Sequence, residues 1–103
     1  MKINGKDIRF EYTIGAFCDY SDYCAAHPDV SMIRAAMYQA LFMNRAYAEL
    51  HPGAETVTLE EMMHLPQADF AELAKEIKSA EAAGSKRSVE SVEKKQEKDK
   101  TSL

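Results

Sequence analysis

The sequence lacks any apolar run long enough to cross a membrane. A transmembrane helix needs about 18 or more consecutive apolar residues, and no such stretch occurs, so the sequence predicts no membrane-spanning segment. The opening residues Met1–Gly5 contain no apolar segment of the kind found in signal peptides. We therefore expect a protein of the cytoplasm that has no membrane partner.

Cysteine is also scarce, with two residues, Cys18 and Cys24. A small secreted domain would use more cysteines in a framework of disulfides, so we expect both thiols to be reduced. Six positions on a helix separate two side chains by about 240°, which is too far around the helix for both to bind one metal ion. We interpret the pair as buried structural thiols, because free cysteine is among the most buried residue types.

Patterns that carry catalysis are missing as well. His27, His51 and His64 are scattered and form none of the paired motifs that bind metals on a helix. The four glycines do not cluster into a phosphate-binding loop. Asp19 and Asp22 lie one helical turn apart, and we interpret them as a solvated helix face rather than as paired catalytic carboxylates. We therefore predict a non-enzymatic protein with no catalytic, cofactor or metal site.

Charge divides the chain into two parts. The whole sequence is 46% hydrophobic and 29% charged, which is typical of a globular domain. Residues 1–84 carry seven basic and thirteen acidic side chains, a net charge of −6, whereas residues 85–103 carry six basic and four acidic ones, a net of +2. An acidic domain repels phosphate groups, so we expect no nucleic-acid partner. This disfavours one alternative, a helix-turn-helix DNA-binding regulator.

The predicted fold class is α+β, mostly α, with a short N-terminal β-hairpin packed on about four helices. Asn4-Gly5 favours a two-residue hairpin turn that pairs Ile3 with Lys6. The apolar hairpin face consists of Met1, Ile3, Ile8, Phe10 and Tyr12. The second strand, Lys6–Tyr12, outruns the first by about four residues. We expect its free edge to pair with another chain or with a client, because open edges are templates for pairing. The alternative is an edge that Lys6, Arg9 and Glu11 protect through their charges.

Two longer helices follow the hairpin. The first is predicted from Ile14 to Ala25 with Thr13 as its N-cap, and the second from Met32 to Leu50 with Asp29 or Ser31 as its cap. Periodicity predicts an inward face of Ile14, Phe17, Cys18, Tyr20, Ser21 and Cys24 on the first helix. On the second helix it predicts an inward arc of Met32, Ile33, Ala36, Met37, Ala40, Leu41, Met43, Tyr47 and Ala48.

The rest of the chain predicts two further helices and a tail. Thr58-Leu59-Glu60-Glu61 has the pattern of a capping box and predicts a short helix to about Leu65. Pro66 begins a last helix that ends near Gly84. Its apolar face consists of Phe70, Leu73, Ala74, Ile77 and Ala80. Residues 85–103 contain few apolar side chains, so we predict a helical domain over 1–84 and a disordered, charged tail over 85–103 that is dispensable for folding.

Several side chains are candidates for partner binding. Tyr38 and Phe42 lie outside the predicted inward arc, close to Arg34 and Arg45, and aromatic and arginine side chains are enriched at interfaces. The predicted partner-binding residues are Tyr38, Phe42, Arg34 and Arg45, together with Arg9 and Phe10 on the open strand. Five internal methionines, Met32, Met37, Met43, Met62 and Met63, belong either to the core or to an adaptable surface that accepts partner helices.

The N-terminal motif resembles the opening of a known family. Ile3-Asn4-Gly5-Lys6, followed by Phe10-Glu11-Tyr12 and by Thr13-Ile14-Gly15-Ala16, is similar to the start of tail assembly chaperones of long-tailed phages and prophages. The later Thr58–Glu61 and Leu65–Phe70 segments are also similar, as is the charged end. The resemblance covers about residues 2–84, through short motifs.

The resemblance implies a specific, non-catalytic function. Members of this family bind the long tape measure protein and recruit tail tube subunits to it in the host cytoplasm, and they are absent from the mature virion. The resemblance therefore implies two partners, the tape measure protein and the tail tube protein, and self-association into a homo-oligomer is a further expectation. The main alternative is a small structural protein of the phage particle, such as a head–tail connector.

Overall fold

The computed structural model describes residues 1–84, and these form a mostly helical α+β fold, as predicted. The predicted tail lies outside the described residues. The elements are β1 (Lys2–Ile3), β2 (Lys6–Asp7), α1 (Ile14–Ala26), α2 (Met32–Leu50), α3 (Leu59–Met63), a 3-10 turn (Gln67–Asp69) and α4 (70–84). None of the helices in this part of the chain is long and apolar enough to span a membrane.

The hairpin has the predicted turn and register. Asn4 and Gly5 both have positive φ, at 53° and 76°, as a type I′ turn requires. The two strands pair Ile3 with Lys6, and the Ile8 N–H donates to the Met1 carbonyl at 2.9 Å. The predicted length of the second strand is wrong, because β2 contains only two residues. The first strand is too short to pair with anything beyond Ile8.

The chain after β2 runs along α2 instead of remaining in a ladder. The Glu11 N–H donates to the Met43 carbonyl at 3.0 Å, and the Arg9 carbonyl accepts from the Asn44 side chain at 2.9 Å. These backbone groups therefore have partners within the chain. The prediction that this segment pairs with another chain therefore has no support at Arg9 and Glu11, because these backbone groups already have hydrogen-bond partners.

The first two helices begin where the sequence predicts. The Thr13 hydroxyl accepts from the Ala16 N–H and the Ser31 hydroxyl from the Arg34 N–H, both at 3.1 Å, so each residue is an N-cap. Ser31, rather than Asp29, caps α2. α1 extends one residue further than predicted, and α2 has the predicted bounds.

The predicted inward face of α1 is largely wrong. Ile14 is 83% exposed, Phe17 is 52% exposed, and Cys18 and Ser21 are exposed as well. The helix packs on α2 through the opposite side, where Ala16 is buried. The side toward α2 includes Ala16 and Tyr23, and the Tyr23 ring stacks on Tyr38 of α2. Both thiols are free, as expected, but Cys18 is exposed and Cys24 half-buried, so neither is a buried structural thiol.

α2 is the central helix, with neighbours on more than one side. Its buried residues are Ala35, Met37, Ala40, Leu41, Met43, Asn44 and Ala46. The predicted arc is wrong in the first turn, where Met32 is 90% exposed and Ile33 is 58% exposed. Asn44, fully buried, was not predicted to be inside.

The core lies between the hairpin, α2, α3 and α4. Its largest fully buried apolar side chains are Ile3, Ile8, Met43, Met62 and Leu73. The predicted apolar face of α4 is confirmed, since Leu73 and Ile77 are buried and Phe70, Ala74 and Ala80 are half-buried. Pro66 is extended and precedes the 3-10 turn, so α4 begins later than predicted. Gly84 is still helical and lies against Tyr12.

Candidate protein-binding groove

An apolar depression lies between the first half of α2, α3 and the beginning of α4. It has a volume of about 470 Å³, and its walls are almost entirely apolar. We call it the methionine groove. Its main lining residues are Ile33, Met37, Met62, Met63, Leu65 and Phe70.

The floor and the rim of the methionine groove differ in exposure. Met37 and Met62 form part of the floor and are 8% and 2% exposed. Ile33 and Met63 stand at the rim and are 58% and 48% exposed. Single exposed apolar side chains are common on protein surfaces, whereas several that line one concave site are typical of a binding surface. Methionine is unbranched and flexible, so this surface can adapt to partners of different shape.

The α3 wall of the groove is held in place by its N-cap and by one carboxylate. The capping box at Thr58 and Glu61 is confirmed, with both of its reciprocal hydrogen bonds present. Glu61 Oε1 also accepts from Lys6 Nζ at 2.7 Å, and Glu61 Oε2 accepts from Asn4 Nδ2 at 2.8 Å. The hydrogen bond from Lys6, with those from Asn4 and the Thr58 backbone, lowers the pKa of Glu61 from 4.5 to about 2. The carboxylate thus ties α3 to the hairpin.

The loop that leads into α3 is held by a buried amide. Asn44 Oδ1 accepts from the Val57 N–H at 3.0 Å, and Asn44 Nδ2 donates to the Arg9 carbonyl at 2.9 Å. Three separate segments meet at this side chain: α2, the residues after the hairpin, and the loop before α3. Sequence reasoning missed this residue. The available signal was an amide directly after the apolar run Ala40–Met43 of the helix, because a polar side chain that is buried beside such a run requires hydrogen-bond partners.

The predicted aromatic residues on α2 have partners within the chain. Tyr38 stacks on Tyr23 of α1 with ring centroids 3.9 Å apart, and Phe42 meets Tyr23 edge-on at 6.4 Å. The guanidinium of Arg45 lies 6.0 Å from the centre of the Phe42 ring. Tyr38 and Phe42 lie outside the predicted inward arc of α2, on the side of this helix that contacts α1. Both are half-buried, and their role in partner binding stays a prediction.

The other predicted partner-binding residues are spread over the surface. Arg9 Nε donates to Asp7 Oδ2 at 3.1 Å, which lowers the pKa of Asp7, and Phe10 is half-buried against the core. Arg34 is exposed in the first turn of α2, beside the groove residue Ile33. Within residues 1–84, the structure groups Tyr38, Phe42 and Arg45 but places none of the six predicted residues in the lining of the methionine groove.

Two further observations concern possible metal sites and similarity to known proteins. Among residues 1–84, no three histidine, cysteine, aspartate or glutamate side chains are arranged to hold a metal ion. When the chain is compared with family models, curated proteins and solved structures, nothing matches.

Proposed function

We propose that this protein is a non-catalytic assembly chaperone of a long-tailed phage that binds the tape measure protein and recruits tail tube subunits. The observation that carries the proposal is the methionine groove, an open apolar site on a small helical domain. The N-terminal motif supplies the second support, through its resemblance to the family. In this proposal the protein acts in the host cytoplasm and is absent from the finished particle.

The groove fits one kind of client segment, an amphipathic helix. Grooves between helices receive the apolar face of such a helix through side chains spaced three and four residues apart. Rim residues Ile33 and Met63 are exposed in the free chain and would be covered in the complex. The net charge of −6 on residues 1–84 keeps the unoccupied chaperone from aggregating through its apolar surface.

The proposal is tested by co-expression with the tape measure protein of the same phage and measurement of the amount captured. The variant Ile33→Ser/Met63→Ser removes two exposed apolar side chains from the rim of the groove. We expect the affinity for the client to fall at least about tenfold, because truncation of a residue that dominates binding costs about 2 kcal/mol or more. Leu50→Ser is the matched control, because Leu50 is 57% exposed and outside the groove. Equal losses in both variants would contradict the groove assignment.

A second variant tests the predicted aromatic residues. Phe42→Ser opens the contact between α1 and α2 without touching the groove. If Phe42 binds the client, capture falls while the circular dichroism spectrum at 25 °C stays unchanged. If the aromatic contact only joins the two helices, the thermal midpoint falls and the remaining folded protein captures the client normally.

The rival functions predict other results in the same preparation. A structural protein or head–tail connector would be found in purified phage particles, whereas the proposed chaperone would not. A DNA-binding regulator would shift DNA in a salt-dependent manner. Self-association is measured by sedimentation of the free protein.

A further inference from the structure

α1 packs along α2 but is poorly enclosed. Ala16 is the one buried residue among the 13 of this helix, whereas α2 has buried residues from Ala35 to Ala46. Within residues 1–84, no salt bridge joins α1 to another element. A helix of this length is marginal in isolation, so its stability depends on the contact with α2. Elements that bury few apolar side chains are the ones that open locally while the rest of a domain stays folded.

One tyrosine of α1 makes the aromatic contacts with α2. The Tyr23 ring stacks on Tyr38 with centroids 3.9 Å apart and meets Phe42 edge-on at 6.4 Å. The His27 ring also stacks on Tyr23, at 4.4 Å, just after the end of α1. The three rings other than His27 are half-buried, so this contact is open to solvent along its edge. Much of the attachment of α1 therefore depends on a single side chain, Tyr23.

α1 covers an apolar stripe on α2. Tyr38 and Phe42 lie under α1, and the buried residues Ala35 and Ala46 fall on the same face of α2, at spacings of three and four residues. We call these four residues the covered stripe. None of them lines the methionine groove on the described part of the chain. The groove residue Met37 directly precedes Tyr38, about 100° away around the helix, so the groove and the covered stripe lie on neighbouring sides of α2.

Both ends of α1 are attached to the rest of the domain. Before the helix, the Glu11 N–H donates to the Met43 carbonyl at 3.0 Å, and after it the Val30 N–H donates to the His27 carbonyl at 3.0 Å in the turn that leads into α2. These hydrogen bonds lie outside α1 and do not depend on its contact with the covered stripe. The helix can therefore leave α2 and return while the segments on either side keep their places.

We propose that α1 is a lid that undocks from α2 as one unit, while the hairpin, α2, α3 and α4 stay folded, and that the apolar face of a client helix takes its place on the covered stripe. The opening stands independently of the proposed function, whereas the role of the client rests on it. The covered stripe already receives one helix, α1, so its shape suits a helix. A client on the stripe and in the groove would cover two neighbouring sides of α2.

Hydrogen exchange of the full chain, followed by mass spectrometry at a series of urea concentrations below the unfolding transition, tests the opening. We expect the α1 amides to exchange with little dependence on urea and the α2 amides to exchange only through global unfolding, which urea promotes. In Tyr23→Ala the α1 amides should exchange about five- to tenfold faster, because the stacking with Tyr38 and His27 is lost. Phe17→Ala is the matched control, since it removes an outward aromatic ring from the same helix, and should change the rate less than about twofold. Equal exchange of α1 and α2 amides in the parent would overturn the lid, as would equal rates in the two variants.

Capture of the tape measure protein by the same variants tests the role of the client. If the client takes the place of α1, its affinity for Tyr23→Ala should rise by about the factor by which α1 exchange rises, because a larger fraction of the protein is already open. Phe17→Ala should bind as the parent does. Unchanged capture together with faster exchange would show that the client does not use the covered stripe, and reduced capture would show that α1 itself belongs to the binding surface; either result overturns the role of the client. If the parent captures no tape measure protein, the proposed function fails, and the exchange data alone decide whether α1 is a lid.

Discussion

The hairpin and α1 follow one another in the chain, yet their isoleucines have opposite surroundings. Ile8 is 0% exposed and Ile14 is 83% exposed, although they are only six positions apart in the sequence. The hairpin is closed over by α2 and α3 and is attached through the buried amide of Asn44 and the carboxylate of Glu61. α1 is attached along one side and is open on the other. Apolar content alone therefore does not determine burial, since a face needs neighbouring elements that close over it.

The largest expected effect compares these two isoleucines directly. Ile8→Ala leaves a cavity in the core and should lower the free energy of unfolding by about 2–5 kcal/mol. Ile14→Ala removes the same atoms from an exposed site and should change it by less than about 0.5 kcal/mol. Urea denaturation of both variants checks the difference. Similar losses at the two sites would show that Ile14 is covered as tightly as the core.

The next effect concerns Asn44, which attaches the hairpin segment and the loop to α2. Asn44→Ala leaves the Val57 N–H and the Arg9 carbonyl without their partner, and a buried polar group left in that state costs about 1–3 kcal/mol. Glu49→Ala, at an exposed site on the same helix, is the control and should be nearly neutral. Denaturant titration of both proteins gives the comparison, and a neutral Asn44→Ala would contradict the proposed attachment.

A pH effect follows for Glu61. Its pKa is lowered from 4.5 to about 2 in the folded protein, so its contacts stabilise the fold fully above pH 4.5 and lose this effect as the pH falls toward 2. Glu61→Gln should therefore be less stable than the parent at pH 7. The gap between the two proteins in thermal midpoint should close between pH 4.5 and 2. A gap that stays constant over this range would mean that the carboxylate charge contributes nothing.

The smallest effect belongs to residues 85–103. Truncation after Gly84 should change the free energy of unfolding by about 0.5 kcal/mol or less, since residues 85–103 contain few apolar side chains that could add to the core. Thermal unfolding of the truncated and full chains measures it. A larger loss would mean that this segment belongs to the core.

Local signals in the sequence predicted most of the element boundaries. Asn4-Gly5 predicted the turn, and Thr13 and Thr58 predicted two helix starts, because each acts through atoms within a few residues of itself. The burial of α1 was predicted wrongly, because periodicity shows which residues share a face but not which face has a neighbour. Ile14 and Ala16 lie on different sides of α1, and only the position of α2 decides between them.

The candidate site was less predictable than the fold. The five internal methionines were predicted to belong either to the core or to an adaptable surface, and the structure divides them: Met37, Met43 and Met62 are buried, whereas Met32 and Met63 are exposed. The methionine groove forms only when α3 and the beginning of α4 meet α2. That meeting depends on contacts such as Lys6 with Glu61, which are 55 residues apart in the sequence. No local pattern carries this information.

Glu61 has a consequence for how the sequence can diverge. One carboxylate accepts hydrogen bonds from the Lys6 ammonium, the Asn4 amide and the Thr58 backbone N–H, so a single position serves a turn, a strand and a helix start. A substitution there disturbs all three at once. Among relatives with this fold, positions 4, 6 and 61 should consequently change together, as residues in direct contact do. Such co-variation would make this contact recognisable in relatives whose overall similarity has largely been lost.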